Sequence, residues 1–326
     1  MKGPGAFLLL SASVLLGGLW YSQCGSERGP RDDAGGTLTL YVAAGIRRPV
    51  EALLREYEQA YGVRTQVQYA GSGTLLANLE VARKGDLYIA ADESFILRAR
   101  SKGLVAETLP LASQHPVIAV PLGNPLGIRG VRDLLAADVR LGLAQPGAAA
   151  VGTATREALQ KVGLWEDVRA AARVLKPTVM DLANDLALGS LDAAILWDST
   201  VGQVPGLQAV EDDAFAGYRS AVLLGILTHS SNPTAALRLA RYLSAPDRGG
   251  VIFRSHGFQP CEGDPWAEVP VLDLFCGAML RVAIEGTLDA FAQREGAELR
   301  RTYNRCWILV AQVNSRAPPH ARFACD

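Results

Sequence analysis

From Leu38 onward, the hydrophobic positions follow the periods of strands and helices in turn. Residues 38–44 form a short, nearly continuous apolar run, which predicts a strand covered on both faces. Alternating apolar and polar residues over 63–69 predict a second strand with one exposed face. Between these strands, apolar residues recur at the spacing of an amphipathic helix: Val50, Leu53, Leu54, Tyr57 and Tyr61.

Strand and helix patterns continue to alternate as far as residue 260. Further strands are predicted over 86–91, 116–123, 140–146, 191–197 and 220–229, and further helices over 74–82, 155–163 and 233–246. This order predicts an α/β fold with mainly parallel sheets, which bind ligands at the carboxyl ends of their strands. The loops that satisfy this rule are 43–47, 70–74, 145–152 and 197–200.

The C-terminal part of the chain repeats the opening pattern. A shift of 234 positions places residues 40–78 over 274–312 without a gap, with identities that include Leu40 and Leu274, and Tyr69 and Tyr303. A repeat of this kind indicates a second copy of the first strand, helix and strand. We therefore expect a truncated copy of the module over 270–313, followed by an irregular tail over 314–326.

Composition narrows the class of partner. The 326 residues are enough for roughly two domains, and 32 basic residues balance 33 acidic ones. Such a balance gives no electrostatic basis for binding nucleic acid. Lys2 precedes an uncharged, largely apolar stretch, which predicts an export signal or anchor over 1–23 and a linker over 24–36. Cleavage, lipid attachment at Cys24 and retention as an anchor all remain open.

The remaining cysteines lie in the last fifth of the chain: Cys261, Cys276, Cys306 and Cys325. A bridge between Cys261 and Cys276 and unpaired buried thiols are both compatible with this spacing. The long cysteine-free body must in either case be stabilised by its core.

The Gly71-Ser72-Gly73 turn between a strand and a helix carries the most informative chemistry. It lacks the spacing of a nucleophile elbow, and the histidines fall in no motif that would supply a base. Metal-ligand spacings and a nucleotide-phosphate loop are also absent from the sequence. A glycine-rich turn at a helix start aims N–H groups at one point and can hold an anion without any cation. The alternative is a flexible turn without a ligand.

An ordered set of motifs resembles the periplasmic molybdate-binding proteins of ABC importers. The motifs are YVAAGI, YAGSGTLLANLE, GDLYIAADESF, PGAAAVGTATREALQKVGLWEDV, LDAAILWDST and HGFQP, between residues 38 and 260. The resemblance implies a type II periplasmic binding protein fold, in which two hinged α/β lobes close on a tetrahedral oxyanion. It places one lobe at about 37–118 and 218–260, the other at about 119–217, and the whole oxyanion-binding domain at 37–260.

The resemblance also implies the binding residues. Ser72 matches a serine that donates through its hydroxyl, whereas Gly45 stands where the family has a serine and retains only its amide. Val151 and Val179 match positions that contribute backbone amides, and Trp197 stands where the family has a tyrosine. Supporting roles are expected for Ala44, Gly71, Gly73, Gly152 and Arg47.

The function implied is that of an exported, non-enzymatic, monomeric solute-binding protein. It would bind molybdate or tungstate and deliver it to an ABC permease in the inner membrane, either free in the periplasm or anchored on the outer face of that membrane. It would need neither a cofactor nor a metal cation. Sulfate, phosphate and an organic anion are alternative ligands, and an organic anion would require Arg47 in the cleft. An enzyme or a sensor on the same fold is a further alternative, although a sensor would be expected to carry an N-terminal DNA-binding module.

Overall fold

The structure is a computed structural model that describes residues 36–315 and 319–323. The expected leader, nearly all of the expected linker, Cys24 and Cys325 lie outside these residues. The fold is mixed α/β, with a six-stranded and a five-stranded sheet in the main body and a three-stranded sheet near the C-terminus.

The first lobe is built on the six-stranded sheet. Three of its strands, β1, β2 and β3, are mutually parallel, and β10 pairs antiparallel with both β3 and β4. The sheet order is β11-β4-β10-β3-β1-β2. Its strands are β1 Thr37–Ala43, β2 Arg64–Ala70, β3 Leu87–Ala90, β4 Val105–Gln114, β10 Ser220–Leu227 and β11 Gln259–Pro260.

The second lobe is built on the five-stranded sheet, in the order β7-β6-β8-β5-β9. Here β6 is parallel to β7 and β8, whereas β5 is antiparallel to β8 and β9. Each sheet therefore has the parallel part that the sequence predicts, but both are mixed, because β10 in the first lobe and β5 in the second run antiparallel to both of their neighbours. The strands are β5 Pro116–Pro121, β6 Leu141–Ala144, β7 Ala172–Lys176, β8 Ala193–Trp197 and β9 Leu207–Val210.

The chain crosses between the sheets twice, and these crossings explain the antiparallel strands. It enters the second sheet at His115, between β4 and β5, and returns through residues 211–219, between β9 and β10. The two crossings contact each other, because the His115 ring lies 3.3 Å from Glu211 and 2.6 Å from an Arg219 nitrogen. The strand that follows each crossing, β5 or β10, is antiparallel to both of its neighbours in the sheet.

Helices cover the sheets on the faces that the apolar spacing predicts. In α1, Val50, Leu53 and Tyr57 are buried, and the helix ends at Gly62, whose left-handed φ of 71° favours glycine. The described residues form the helices α1 Arg47–Tyr61, α2 Ser72–Ala82, α3 Glu93–Ser101, α4 Ala150–Lys161, α5 Trp165–Ala171, α6 Val179–Ala187, α7 Asp198–Gln203, α8 Pro233–Ser244, α9 Gly249–Ser255, α10 Arg281–Glu295 and α11 Cys306–Ser315.

The C-terminal sheet reproduces the first half of the first sheet. It has the order β13-β12-β14 and contains β12 Val271–Gly277, β13 Glu298–Asn304 and β14 Ala321–Phe323. Leu40 pairs with Val67 in β1 and β2, and Leu274 pairs with Arg301 in β12 and β13. Both members are displaced by 234 positions, so the two copies share one strand register.

Side-chain contacts recur at the same offset. In the first copy the arginine pairs with the glutamate four residues on and lies over a tyrosine ring, and the second copy contains the same two contacts. The first set is Arg47, Glu51 and Tyr69, and the second is Arg281, Glu285 and Tyr303.

The expected irregular tail is wrong for residues 321–323. They form β14, which pairs with β12 as β3 pairs with β1, again displaced by 234 positions. Pairing satisfies the N–H and C=O groups that β12 would otherwise leave open at a sheet edge.

The segment between the first lobe and the second copy packs on the first lobe through an aromatic contact, and Arg294 of the copy pairs with Glu107 of the first lobe at 2.5 Å. Trp266 donates from its indole nitrogen to the Tyr61 hydroxyl at 2.9 Å, and its ring lies 5.2 Å from that of Tyr242. Among the residues that the structure describes, the copy's own core cluster has three buried members, Leu274, Cys276 and Leu288. Because so small a core provides little stability alone, this packing contributes to holding the copy folded. Of the two alternatives for the cysteines, the structure has free thiols at Cys261, Cys276 and Cys306.

Candidate functional site

A small cavity lies between the lobes, where the carboxyl ends of both sets of parallel strands meet. It has a volume of about 10 Å³, close to the room one water molecule needs. The first lobe contributes the ends of β1, β2 and β3, and the second contributes the turns after β6, β7 and β8. The lining residues are Ala43, Ala44, Gly45, Gly71, Ser72, Ala91, Ala149, Ala150, Val151, Thr178, Val179 and Trp197.

Every lining side chain is uncharged, so the polarity of the cavity comes from backbone amides and hydroxyl groups. The helices α2 and α4 start at the cavity from opposite lobes, and their N-cap residues, Gly71 and Ala149, make no side-chain cap. The first N–H groups of each helix therefore lack both an intrahelical acceptor and a side-chain acceptor. Two helix dipoles present their positive ends to the same point, which favours an anion.

Small residues allow the lobes to approach closely at this point. The amide of Gly73 donates to the carbonyl of Ala148 in the other lobe at 2.8 Å. A Cβ atom at Gly71 would lie 2.4 Å from the Ala148 carbonyl oxygen, and one at Gly73 would lie 1.6 Å from that of Gly147. Backbone contacts of this kind are open only to glycine, which explains why Ser72 stands between two of them.

Ser72 is oriented by hydrogen bonds on both its backbone and its side chain. Its hydroxyl oxygen accepts from the Ala91 amide at 3.1 Å, which leaves the hydroxyl proton for an acceptor in the cavity. Its carbonyl accepts from the Tyr88 hydroxyl at 2.6 Å. Burial raises the pKa of Tyr88 far above its ordinary value, so the phenol remains a donor at all physiological pH values.

A buried polar network connects the two lobes around the cavity. Gln114 donates to the Ala91 carbonyl at 2.9 Å and accepts from the Ser199 hydroxyl at 2.6 Å. Gln203 donates to the Ser199 carbonyl at 3.0 Å and contacts the Gly45 carbonyl at 3.4 Å. The turns that carry Ser72 and Gly45 are thereby held through side chains outside the cavity.

The structure brings most of the residues anticipated from the sequence to this cavity: Ala44, Gly45, Gly71, Ser72, Val151, Val179 and Trp197. Gly73 and Gly152 lie just behind it. A Cβ atom at Gly152 would lie 2.4 Å from the Ala144 carbonyl, so this glycine permits close packing of α4 on β6.

Arg47 is not at the cavity. Its side chain is 60% exposed, pairs with Glu51 at 2.7 Å and lies over the Tyr69 ring. The Glu51 hydrogen bond raises the pKa of the guanidinium, which stays charged and engaged on the surface. A contact from Arg47 to a ligand, which an organic anion would require, is therefore contradicted by this arrangement.

Sequence reasoning missed the alanines and the threonine in the lining. Ala43 is the last residue of β1, Ala91 directly follows β3, and Ala149, Ala150 and Thr178 lie at helix starts in the second lobe. Their common signal is a small residue directly after a strand or at a helix start, which is too frequent in α/β proteins to single them out.

A second, larger cleft of about 480 Å³ lies near the crossing through residues 211–219. Its lining includes Asp92, Glu93 and Glu157 as well as Lys161 and Arg219. Three carboxylates repel a doubly charged anion, so the smaller, uncharged cavity fits an anion better despite its size.

Among residues 36–315 and 319–323, no group of three histidine, cysteine, aspartate or glutamate side chains is placed to hold a metal ion. Within the same ranges, no helix combines the length and apolar character needed to cross a membrane.

Known proteins share this architecture. A protein of Haemophilus influenzae described as a putative binding protein is 28% identical to this chain over 225 residues. The match covers 69% of this chain and 91% of the length of that protein. The molybdate-binding protein ModA of Escherichia coli is 22% identical over 240 residues, 68% of this chain and 89% of its own.

Two solved structures each have a TM-score of 0.61 and 16% identity, and each covers 69% of this chain. They are the periplasmic molybdate-binding protein of Azotobacter vinelandii, covered over 100% of its length, and the periplasmic binding protein AfuA of Actinobacillus pleuropneumoniae with bound fructose-6-phosphate, covered over 85%.

Two lobes on separate mixed sheets, joined by two crossings and meeting over a small cavity, define a type II periplasmic binding protein. The model of the family "Bacterial extracellular solute-binding protein" matches residues 38–259. The chain belongs to that family.

Proposed function

We propose that this protein is the solute-binding component of an ABC importer and that its ligand is molybdate or the closely similar tungstate. The observation that carries the proposal is the meeting of two uncapped helix starts, α2 and α4, with the Ser72 hydroxyl in a cavity free of charged side chains. Backbone amides of Gly45, Val151 and Val179 provide further donors.

Neutral donors suit a fully ionised oxyanion, which only accepts hydrogen bonds. If about six charge-assisted bonds each contribute ~1.5 kcal/mol, the total of ~9 kcal/mol corresponds to roughly micromolar binding or tighter. Hydrogen phosphate carries a proton that needs an acceptor, and no carboxylate lines the cavity between the described lobes to supply one. The same chemistry that accepts molybdate therefore disfavours phosphate.

Size gives a second criterion. A tetrahedral oxyanion is larger than one water, so binding requires a movement of lining side chains. A sugar phosphate, such as the ligand of the AfuA structure, would require a much larger rearrangement. The small cavity thus supports an inorganic ion over an organic phosphate.

The proposal includes the partner and the place of action. Closure of the lobes forms one surface from both lobes, and a membrane permease binds this surface during import. Action outside the inner membrane follows from the extracellular solute-binding family. Catalysis forms no part of the proposal, because the lining residues offer Ser72 no general base.

Calorimetric titration of the purified chain with molybdate, tungstate, sulfate and phosphate tests the proposal. We expect molybdate and tungstate to bind at micromolar or lower concentration, sulfate more weakly, and phosphate not measurably at pH 8. Tight phosphate binding would contradict the assignment of molybdate or tungstate, and binding of none of the four anions would contradict an oxyanion site.

A further inference from the structure

One buried hydroxyl beside the cavity has no hydrogen-bond partner among the residues that the structure describes. Thr200, in α7, has a relative exposure of 0%, and its Oγ1 atom makes no hydrogen bond. The polar groups around it are paired, because Ser199, Gln203 and Gln114 are linked in the network that surrounds the cavity. An unpaired buried hydroxyl is unfavourable and calls for an explanation.

The helix does not satisfy this hydroxyl in the way that is usual for threonine. A buried threonine inside a helix commonly donates to the carbonyl four residues earlier. Thr155 in α4 does so, donating to the Val151 carbonyl at 2.7 Å. Thr200 lies in the first turn of α7, where the residue four positions earlier, Leu196, belongs to β8, so no carbonyl of the helix is in place to accept its proton.

The hydroxyl faces the other lobe at the turn that carries Gly45. A Cβ atom placed on Gly45 would lie 3.6 Å from Thr200 Oγ1 and 2.9 Å from Val179 Cγ1. Gly45 belongs to the first lobe, whereas Thr200 and Val179 belong to the second. The Thr200 hydroxyl therefore lies at the interface of the lobes, next to two residues that line the cavity.

The segment that carries Thr200 is held against the Gly45 turn. Arg48 donates to the Gln203 carbonyl at the end of α7, and the Gln203 side chain contacts the Gly45 carbonyl. Closure of the lobes thus brings the Thr200 hydroxyl to the anion site in a reproducible position.

We propose that Thr200 is a further binding residue whose hydroxyl donates to an oxygen of the bound oxyanion. It supplies a hydroxyl on the side of the cavity where glycine at position 45 has none. The inference rests on the proposed function, since it assigns a further donor to the same oxyanion. In the ligand-bound protein, the unpaired hydroxyl becomes a charge-assisted donor.

The test compares Thr200→Val, which keeps the shape of the side chain and removes the hydroxyl, with Thr200→Ser, which keeps the hydroxyl. Each purified full-length variant is titrated with molybdate and tungstate, and its unfolding temperature is measured without added anion. We expect Thr200→Val to weaken binding about tenfold or more and Thr200→Ser to retain most of the affinity.

Unfolding of the anion-free protein distinguishes a donor from a purely structural residue. Removing an unpaired buried hydroxyl should leave the unfolding temperature of Thr200→Val unchanged or higher, while its affinity falls. A structural role would lower the unfolding temperature in parallel with the affinity and would overturn the proposal.

The two levels of the assignment fail in different ways. If the wild-type protein and Thr200→Val bind molybdate or tungstate equally tightly, the Thr200 inference is wrong and the proposed function stands. If the wild-type protein binds neither anion, the proposed function is wrong and the inference falls with it.

Discussion

The amide nitrogen of Gly73 in the first lobe lies 2.8 Å from the carbonyl oxygen of Ala148 in the second and donates a hydrogen bond to it. This contact forms only when the lobes are together, and it lies directly beside Ser72. The close approach of two backbones therefore couples closure of the lobes to completion of the anion site.

Gly73→Ala is expected to impair closure without preventing folding. The added Cβ atom would lie 1.6 Å from the Gly147 carbonyl oxygen, so the lobes could not come together as they do here. We expect a loss of roughly 2 kcal/mol of binding free energy, about 30-fold in Kd, by calorimetry. Gly286→Ala is the matched control, because nothing lies within 4 Å of a Cβ atom at that helical position. Unchanged affinity in Gly73→Ala would contradict closure through this contact.

Ser72→Ala is expected to weaken oxyanion binding. The substitution removes one charge-assisted donor worth roughly 1.5 to 3 kcal/mol, or about 10- to 150-fold in Kd. It also removes the acceptor of the Ala91 amide, so a modest loss of stability should accompany it. Ser255→Ala, at an exposed helix position, serves as the control for both measurements. Full affinity in the Ser72 variant would show that its hydroxyl does not contact the ligand.

Gly45→Ala is expected to be rescued by Val179→Ala. A Cβ atom at Gly45 would lie 2.9 Å from Val179 Cγ1, too close without a shift of the valine. We expect Gly45→Ala alone to weaken binding about tenfold and the double variant to recover affinity relative to it. A double-mutant cycle measured by calorimetry should give a coupling of about 1 kcal/mol or more. Additive effects would place the two residues apart in the ligand-bound state.

Trp266→Ala is expected to lower stability and leave affinity unchanged. Trp266 packs against Tyr61 and Tyr242, so its removal should cost roughly 1 to 3 kcal/mol of the free energy of unfolding. Urea unfolding measures this loss, and titration with the oxyanion checks affinity. Trp307→Ala provides the contrast, because Trp307 is 67% exposed and its loss should change stability little. If both substitutions lowered the free energy of unfolding equally, Trp266 would not be a packing contact that holds the C-terminal part of the chain on the first lobe.

The ion pair between Arg140 and Asp192 should make stability depend on pH in the acid range. The hydrogen bond from Arg140 lowers the pKa of Asp192 below its ordinary value of 3.8. A lowered pKa in the folded state stabilises the protein above the unfolded-state pKa, and the contribution is lost as pH falls through the folded value. We expect Asp192→Asn to be less stable than the wild type at pH 7.

Urea unfolding from pH 7 to pH 2 measures the difference, which should shrink below the ordinary pKa of the carboxyl. Glu262→Gln, at an exposed position, controls for loss of a surface charge. A stability difference independent of pH would exclude the ion pair as its source.

The strands, helix and turn of the first lobe that line the cavity could be predicted best from the sequence. Local patterns indicate β1, α1 and β2 because each buries apolar residues at its own period, and the turn around Ser72 follows directly from them. The strand β4 was not predicted, and the antiparallel direction of β10 was missed, since it depends on where the chain crosses between the sheets. No local pattern reports such a crossing.

The environment of individual side chains was equally out of reach of the sequence. Arg47 pairs with Glu51 on the surface, although it follows Gly45 by only two residues and was therefore expected near the ligand. Thr200 is visible only because the structure shows which neighbouring hydroxyl and amide groups already have partners. Both outcomes depend on contacts between segments far apart in the chain.

The constant 234-residue displacement of β12, β13 and β14 from β1, β2 and β3 is what duplication of one contiguous gene segment leaves behind. The copy retains its folding pattern, while Met279 and Trp307 occupy the positions of Gly45 and Gly73. Bulky residues there leave no room for a second cavity of the same kind, so the copy has kept the scaffold of strands and helix without its anion site.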